Sequence, residues 1–153
     1  NFLPLPREDN VFPYIFCLCK NYINLCLNGD FMIQESIENY LETIYMLKLK
    51  KSNVRAVDVA EEMGYSKPTI SVVIKKLKEQ GLLSVESDGD IILSGEAVKI
   101  ASHIYERHVF LTRMFVSLGV DKETAAEDAC KLEHDISDET FERIKEHAKK
   151  VLE

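Results

Sequence analysis

The chain has no CxxC pair, and its four cysteines lack the regular spacing of a disulfide framework. Cys17, Cys19 and Cys26 crowd near the N-terminus, with no partner ligands close by in sequence, while Cys130 stands alone far downstream. A disulfide-stapled secreted scaffold is thereby excluded, and a reducing, cytoplasmic compartment is expected. A long hydrophobic run is missing as well. The apolar stretch from Val11 to Leu27 is interrupted by Pro13, Lys20, Asn21 and Asn24, short of the roughly 18 apolar residues that a membrane span requires. It also lacks the small-residue cleavage site of a signal peptide, so no membrane partner is expected. HExxH, a nucleophile elbow and a phosphate-cradling glycine loop are all absent, which removes the common signatures of metallopeptidases, hydrolases and nucleotide enzymes. Nor is there an excess of positive charge, since the formal net charge is -7. Any nucleic-acid role must therefore rest on a local basic surface or on carboxylates neutralised by a bound cation.

What is present suffices for a folded core. With 153 residues, 46% of them hydrophobic, the chain can form one compact unit or two small subdomains sharing a core. Residues 1–31 read as an N-terminal extension of uncertain origin, and Met32 stands just before the first clean amphipathic pattern. From there Ile37, Tyr40, Leu41, Ile44 and Leu47 recur at helical spacing, predicting a helix over 34–50. Off that stripe lie Asn39, Glu42 and Met46, which form either ordinary solvent-exposed surface or a second face on which Asn39 and Glu42 supply oxygen ligands to a site built between helices.

The segment Val54 to Met63 predicts a short helix, followed by the turn Gly64-Tyr65-Ser66. Ser66 is a good N-cap and Pro68 suits a first turn, so a second helix is expected from Lys67 to Gln80 with Ile70, Val73, Ile74 and Leu77 inward. Lys67, Thr69, Ser71, Lys75, Lys76 and Lys78 occupy its other face. Two helices joined through a glycine turn match a helix-turn-helix. Leu82 to Glu86 and Ile91 to Leu93, separated by Ser87-Asp88-Gly89-Asp90, predict a β-hairpin wing. In that reading Arg55, Lys75 and Lys76 contact phosphates, whereas Ser66, Thr69 and Ser71 reach base edges and the Pro68 ring lies against a thymine methyl. A helical hairpin plus a β-hairpin used for protein contacts is the alternative.

Ser94 is placed to cap a long helix from about Gly95 to Leu118, whose stripe Ala97, Ala101, Ile104, Leu111 and Phe115 includes His108. A lone histidine in such a row is more often a hydrogen-bonded core residue than a ligand. His103 and His147 are assigned to the surface. Asp121 caps the next helix, read as far as Asp135, and Ser137 caps a last helix through Leu152. On the Asp121-capped helix Cys130, Glu133 and His134 stand at i, i+3 and i+4, directing a thiol, a carboxylate and an imidazole to one point. This mixed donor set suits a divalent transition metal better than Mg or Ca. The alternative is a solvated helix face.

Several of these stretches together resemble the diphtheria-toxin-repressor and manganese-transport-regulator family of metal-dependent transcription factors. They are Glu38-Asn39-Tyr40-Leu41-Glu42-Thr43-Ile44-Tyr45, Ser66-Lys67-Pro68-Thr69-Ile70-Ser71, Arg107-His108, and Asp128-Ala129-Cys130-Lys131-Leu132-Glu133-His134 followed by Ser137-Asp138-Glu139. The resemblance covers nearly all of the chain after Met32. It implies a mainly α fold, with a winged helix-turn-helix DNA-binding domain over 32–94 and an all-α dimerisation and metal-binding domain over 95–153. It further implies a cytoplasmic homodimeric repressor that binds double-stranded operator DNA when loaded with Mn(II) or Fe(II). By matching positions, His108, Cys130, Glu133 and His134 fall on metal-ligand positions, and Asn39 and Glu42 fall where first-helix ligands stand.

The match is mixed in type. Cys130 follows the iron regulators and Glu42 the manganese regulators, while Asn39 replaces the Met of the one and the Asp of the other. Thr112 and Ala126 stand where the iron type carries ancillary Glu and His ligands. The shorter two-domain architecture of the manganese regulators is the nearer analogue. A winged-helix sensor of an organic ligand and a metalloenzyme remain the other classes to be weighed.

Overall fold

The computed structural model describes residues 30–152, with side chains described over 37–148. The expectations for Cys17, Cys19 and Cys26 and for the rest of residues 1–29 lie outside the described residues. Six helices and one hairpin occur among the described residues: α1 (Asp30–Lys50), α2 (Ala56–Met63), α3 (Lys67–Glu79), β1 (Leu83–Val85), β2 (Ile91–Leu93), α4 (Gly95–Ser117), α5 (Lys122–Leu132) and α6 (Asp138–Leu152). The chain divides into two compact units between Tyr105 and Glu106, within α4. No described helix is long and apolar enough to cross a membrane.

The first unit, residues 30–105, has its own core. Leu41 and Ile44 of α1, Val59 of α2 and Ile70 of α3 are completely buried, together with Ile91 of the hairpin and Ala101 of α4. Burial of this kind, at about 25 cal/mol per Å² of apolar surface removed from water, is what holds short helices that would not persist alone. α1 begins at Asp30, earlier than the apolar stripe predicts. α2 begins later than predicted, because Arg55 is extended (φ -111°, ψ 164°) and its N–H donates to Asp58 Oδ2 at 2.6 Å. The turn into α3 passes through Gly64 at φ 69°, a left-handed conformation costly for any residue with a Cβ. Ser66 Oγ then accepts from Thr69 N–H at 3.3 Å and caps α3 as expected.

The hairpin is antiparallel, with Leu83 opposite Leu93 and Val85 opposite Ile91. Its turn closes through Glu86 N–H to Asp90 O at 2.8 Å, with Gly89 at φ +89°. One carboxylate fastens this wing to the rest of the unit. Asp90 accepts from Lys48 Nζ at 2.6 and 2.8 Å and from Val54 N–H at 2.7 Å, while Ile91 N–H donates to Val54 O at 2.8 Å. The lysine hydrogen bond first, then the Val54 amide, hold the Asp90 carboxyl below the usual carboxylate range.

The second unit, residues 106–152, packs the end of α4 with α5 and α6 around Leu111, Ala129 and Phe141. The Phe110 and Phe141 rings meet edge to face at 5.5 Å. Asp121 caps α5 by accepting from the N–H groups of Glu123 and Thr124 at 3.0 and 3.2 Å, and Ser137 Oγ caps α6 through Thr140 N–H at 3.2 Å. α5 ends at Leu132, short of the expected Asp135. Glu133 keeps a helical backbone (φ -60°, ψ -31°), whereas His134 and Asp135 form a turn leading to Ser137.

Candidate metal centre and DNA-reading face

In the second unit, two of the predicted ligands meet directly. His108, two residues past the start of this unit on α4, is 2% exposed and Glu133 is 1% exposed. His108 Nδ1 stands 2.6 Å from Glu133 Oε2. An ionised carboxylate only accepts, so the imidazole donates in this contact. His134 comes from the other side: its Nε2 lies 3.4 Å from Glu133 Oε1, and its side chain is 6% exposed. Glu133 Oε1 is buried and takes no hydrogen bond. A buried carboxylate oxygen without a donor is costly unless a cation satisfies it. That oxygen, with the His134 imidazole beside it and the His108 imidazole on the other oxygen of the same carboxylate, fits a divalent transition metal.

The helix expected to carry Cys130, Glu133 and His134 is shorter than the sequence predicts. α5 stops at Leu132, so Cys130 lies half-buried within the helix while Glu133 and His134 follow its last residue. Glu133 retains the N–H to Ala129 O bond at 2.9 Å, and His134 stands in the turn that follows. His103 and His147 are exposed, as their assignment to the surface requires.

In the first unit, Asn39, Glu42 and Met46 are 7%, 5% and 4% exposed. The reading of this face as solvent-exposed surface is thus overturned. Buried oxygen donors at i and i+3 of one helix keep Asn39 and Glu42 as ligand candidates.

The DNA-reading candidates are all at the surface. Arg55, Ser66, Lys67, Pro68, Thr69, Ser71, Lys75 and Lys76 are exposed, and seven of them lie on α3 or at its cap. The Ser66 and Thr69 hydroxyls are 2.8 Å apart, and Ser71 Oγ donates to Lys67 O at 2.9 Å. Each hydroxyl keeps lone pairs for a further donor. Arg55 lies along the hairpin turn, its Cδ 3.7 Å from the point where a Cβ on Gly89 would stand. Sequence reasoning missed Val72, 57% exposed on the same face of α3. The signal was there: Val72 and Val73 are adjacent, and a stripe through Ile70, Ile74 and Leu77 has room for only one of them. Arg107, next to His108 on α4, is a buried charge at 6% exposed.

Comparison with known proteins accounts for both halves. Residues 32–91 match the N-terminal DNA-binding domain of iron-dependent repressors, and residues 95–152 match their metal-binding and dimerisation domain. An uncharacterised helix-turn-helix transcriptional regulator of Methanocaldococcus jannaschii is 34% identical over 116 residues, which cover 74% of this chain and 92% of that protein. The transcriptional regulator MntR of Bacillus subtilis is 30% identical over 113 residues, covering 74% of this chain and 80% of that one. Among solved structures, the manganese regulator SloR superposes with a TM-score of 0.64 at 27% identity, over 74% of this chain and 53% of that one. A manganese-dependent transcriptional repressor in complex with manganese gives 0.65 at 30% identity, over 72% and 51%. The chain spans about half the length of these two solved proteins. A winged helix-turn-helix followed by a helical metal-binding and dimerisation domain makes this chain a member of the iron-dependent repressor family of metal-responsive, DNA-binding transcriptional regulators, not of an enzyme family.

Proposed function

We propose that this chain is a cytoplasmic, homodimeric repressor of metal-ion homeostasis genes that grips double-stranded operator DNA when loaded with Mn(II) or Fe(II). The observation that carries this reading is the buried Glu133 carboxylate flanked by the His108 and His134 imidazoles, with one oxygen taking no hydrogen bond. In this reading Glu133, His108 and His134 hold the ion, with Cys130 of the preceding helical turn as the soft donor. The bound cation supplies positive charge to a cluster built on a buried carboxylate. That charge matters in a chain of net charge -7, whose carboxylates otherwise repel one another and the DNA phosphates.

On the DNA side, the exposed lysines of α3 and Arg55 neutralise phosphates, while Ser66, Pro68, Thr69 and Ser71 face the base edges of the major groove. Two subunits present two such helices to the half-sites of a palindromic operator. A coupling free energy of about 1 to 3 kcal/mol between ion and operator changes DNA affinity roughly 5- to 150-fold. The test is a gel-shift titration of His134→Ala against the unaltered chain. The variant should keep its fold and its weak, salt-sensitive DNA binding yet lose the response to Mn(II) or Fe(II); full metal-dependent binding by His134→Ala contradicts the ligand assignment.

A further inference from the structure

We propose that Arg107 is a positioning residue for the metal centre, acting by fastening the turn that carries Glu133 and His134. The inference rests on the proposed metal site and assigns a task to a buried charge which that site does not itself use.

Arg107 is 6% exposed, and burying a guanidinium is costly unless it is paired. Its pairing is directed to one place. Nη1 donates to Asp138 Oδ1 at 2.9 Å and Nη2 donates to the carbonyl of Ile136, so one bond reaches the segment that joins α5 to α6 and the other the first residue of α6. The guanidinium carbon also stands 5.1 Å from the centre of the Phe141 ring, the buried centre of this unit's core. Lys145 Nζ lies 5.2 Å from the same ring, and Phe110 packs edge-on against it. Arg107 is thereby held by an aromatic residue of α6 while it holds the turn before α6.

The turn needs holding because the helix does not reach it. α5 ends at Leu132, and His134 and Asp135 have left the regular helix. The backbone there is tied back to α5 by Glu133 N–H to Ala129 O at 2.9 Å, Asp135 N–H to Leu132 O at 3.1 Å and Ile136 N–H to Leu132 O at 3.2 Å, and Arg107 adds a tie from α4. Arg107 immediately precedes His108 on α4. One backbone segment therefore supplies an imidazole to the cluster and, from the neighbouring residue, the guanidinium that fixes the other two ligands. Groups that orient ligands without touching the ion typically change metal affinity 10- to 100-fold when removed.

The experiment uses the full chain and Co(II) as probe, read by its visible absorption spectrum and by competition with a chelating dye, for the variants Arg107→Met, Arg107→Lys and Asp138→Asn. Thermal unfolding of each metal-free protein is followed in parallel. Arg107→Met should lower Co(II) affinity 10- to 100-fold and alter the absorption bands, which report ligand geometry. Arg107→Lys, which reaches one acceptor but not both, should fall between it and the unaltered chain. Asp138→Asn, at a position 77% exposed, keeps an acceptor for Nη1 but not the charge, so it should lower thermal stability less than Arg107→Met does while binding Co(II) severalfold more weakly than the unaltered chain. Unaltered affinity and spectrum in Arg107→Lys and Asp138→Asn overturn the proposal, and those two variants decide the matter if Arg107→Met does not fold. Failure of the unaltered chain to take up Co(II) is a different result, one that removes the metal site itself and this role with it.

Discussion

Glu133 is held from its own unit by His108: the imidazole Nδ1 of one lies 2.6 Å from the carboxylate Oε2 of the other, and both side chains are almost completely shielded from water. This contact fixes the carboxylate so that its second oxygen, which takes no hydrogen bond, faces His134 Nε2 at 3.4 Å. Replacing Glu133 by Gln keeps the shape and removes the charge. Mn(II) affinity, measured by chelator competition, should fall at least tenfold, since even groups one shell out cost that much. Binding at the unaltered affinity would show that the ion is not held here.

Lys75 stands on the exposed face of α3 with its side chain 78% exposed and only a loose 3.9 Å approach to Glu79. Its charge is thus available to a phosphate. Lys75→Ala should weaken binding to every DNA sequence alike and reduce the slope of log affinity against log salt by about one. A change confined to one operator sequence would instead make Lys75 a reader of bases.

Acid should loosen the wing. Asp90 is held below the usual carboxylate range by Lys48 and then by the Val54 amide, so its folded pKa lies under the unfolded value of about 3.9. A depressed carboxylate contributes stability that is present above the unfolded value and lost as pH falls through the folded one. Asp90→Asn removes that contribution. Urea midpoints measured from pH 6 downwards should therefore fall less steeply in Asp90→Asn than in the unaltered chain below about pH 4. Parallel acid limbs would contradict the assignment.

Phe141 is 2% exposed and takes contacts from Phe110, Arg107 and Lys145. Phe141→Ala should cost about 3 to 5 kcal/mol by urea denaturation, the usual range for emptying an aromatic site in a core. A loss below about 1 kcal/mol would mean that the site collapses to fill the space.

Much of the fold is written in local chemistry. Ser66, Ser94 and Asp121 each cap a helix in the position their type favours, with Ser94 Oγ accepting from Ala97 N–H at 3.2 Å. The α4 stripe, His108 included, is buried through Leu111 because a 3.6-residue period marks a face whatever that face packs against. The Asp-Gly turn likewise predicts the wing.

The remainder depends on tertiary contacts that no window of sequence contains. The period that groups Cys130, Glu133 and His134 gives no sign that α5 stops at Leu132. Asn39 and Glu42 have the composition of an exposed face but are buried, and the burial of Arg107 depends on partners, Ile136 and Asp138, that lie about thirty residues on. Buried polar residues are legible only once their partners are known.

The central claim is that a bound divalent cation controls the grip on DNA. Its most direct test is fluorescence anisotropy of a labelled operator duplex titrated with the full chain at fixed salt, first after exhaustive chelation and then with Mn(II) or Fe(II) restored. Metal should raise affinity within the roughly 5- to 150-fold range of a typical coupling, and renewed chelation should reverse it. Equal affinity in the demetallated and loaded states would contradict the account.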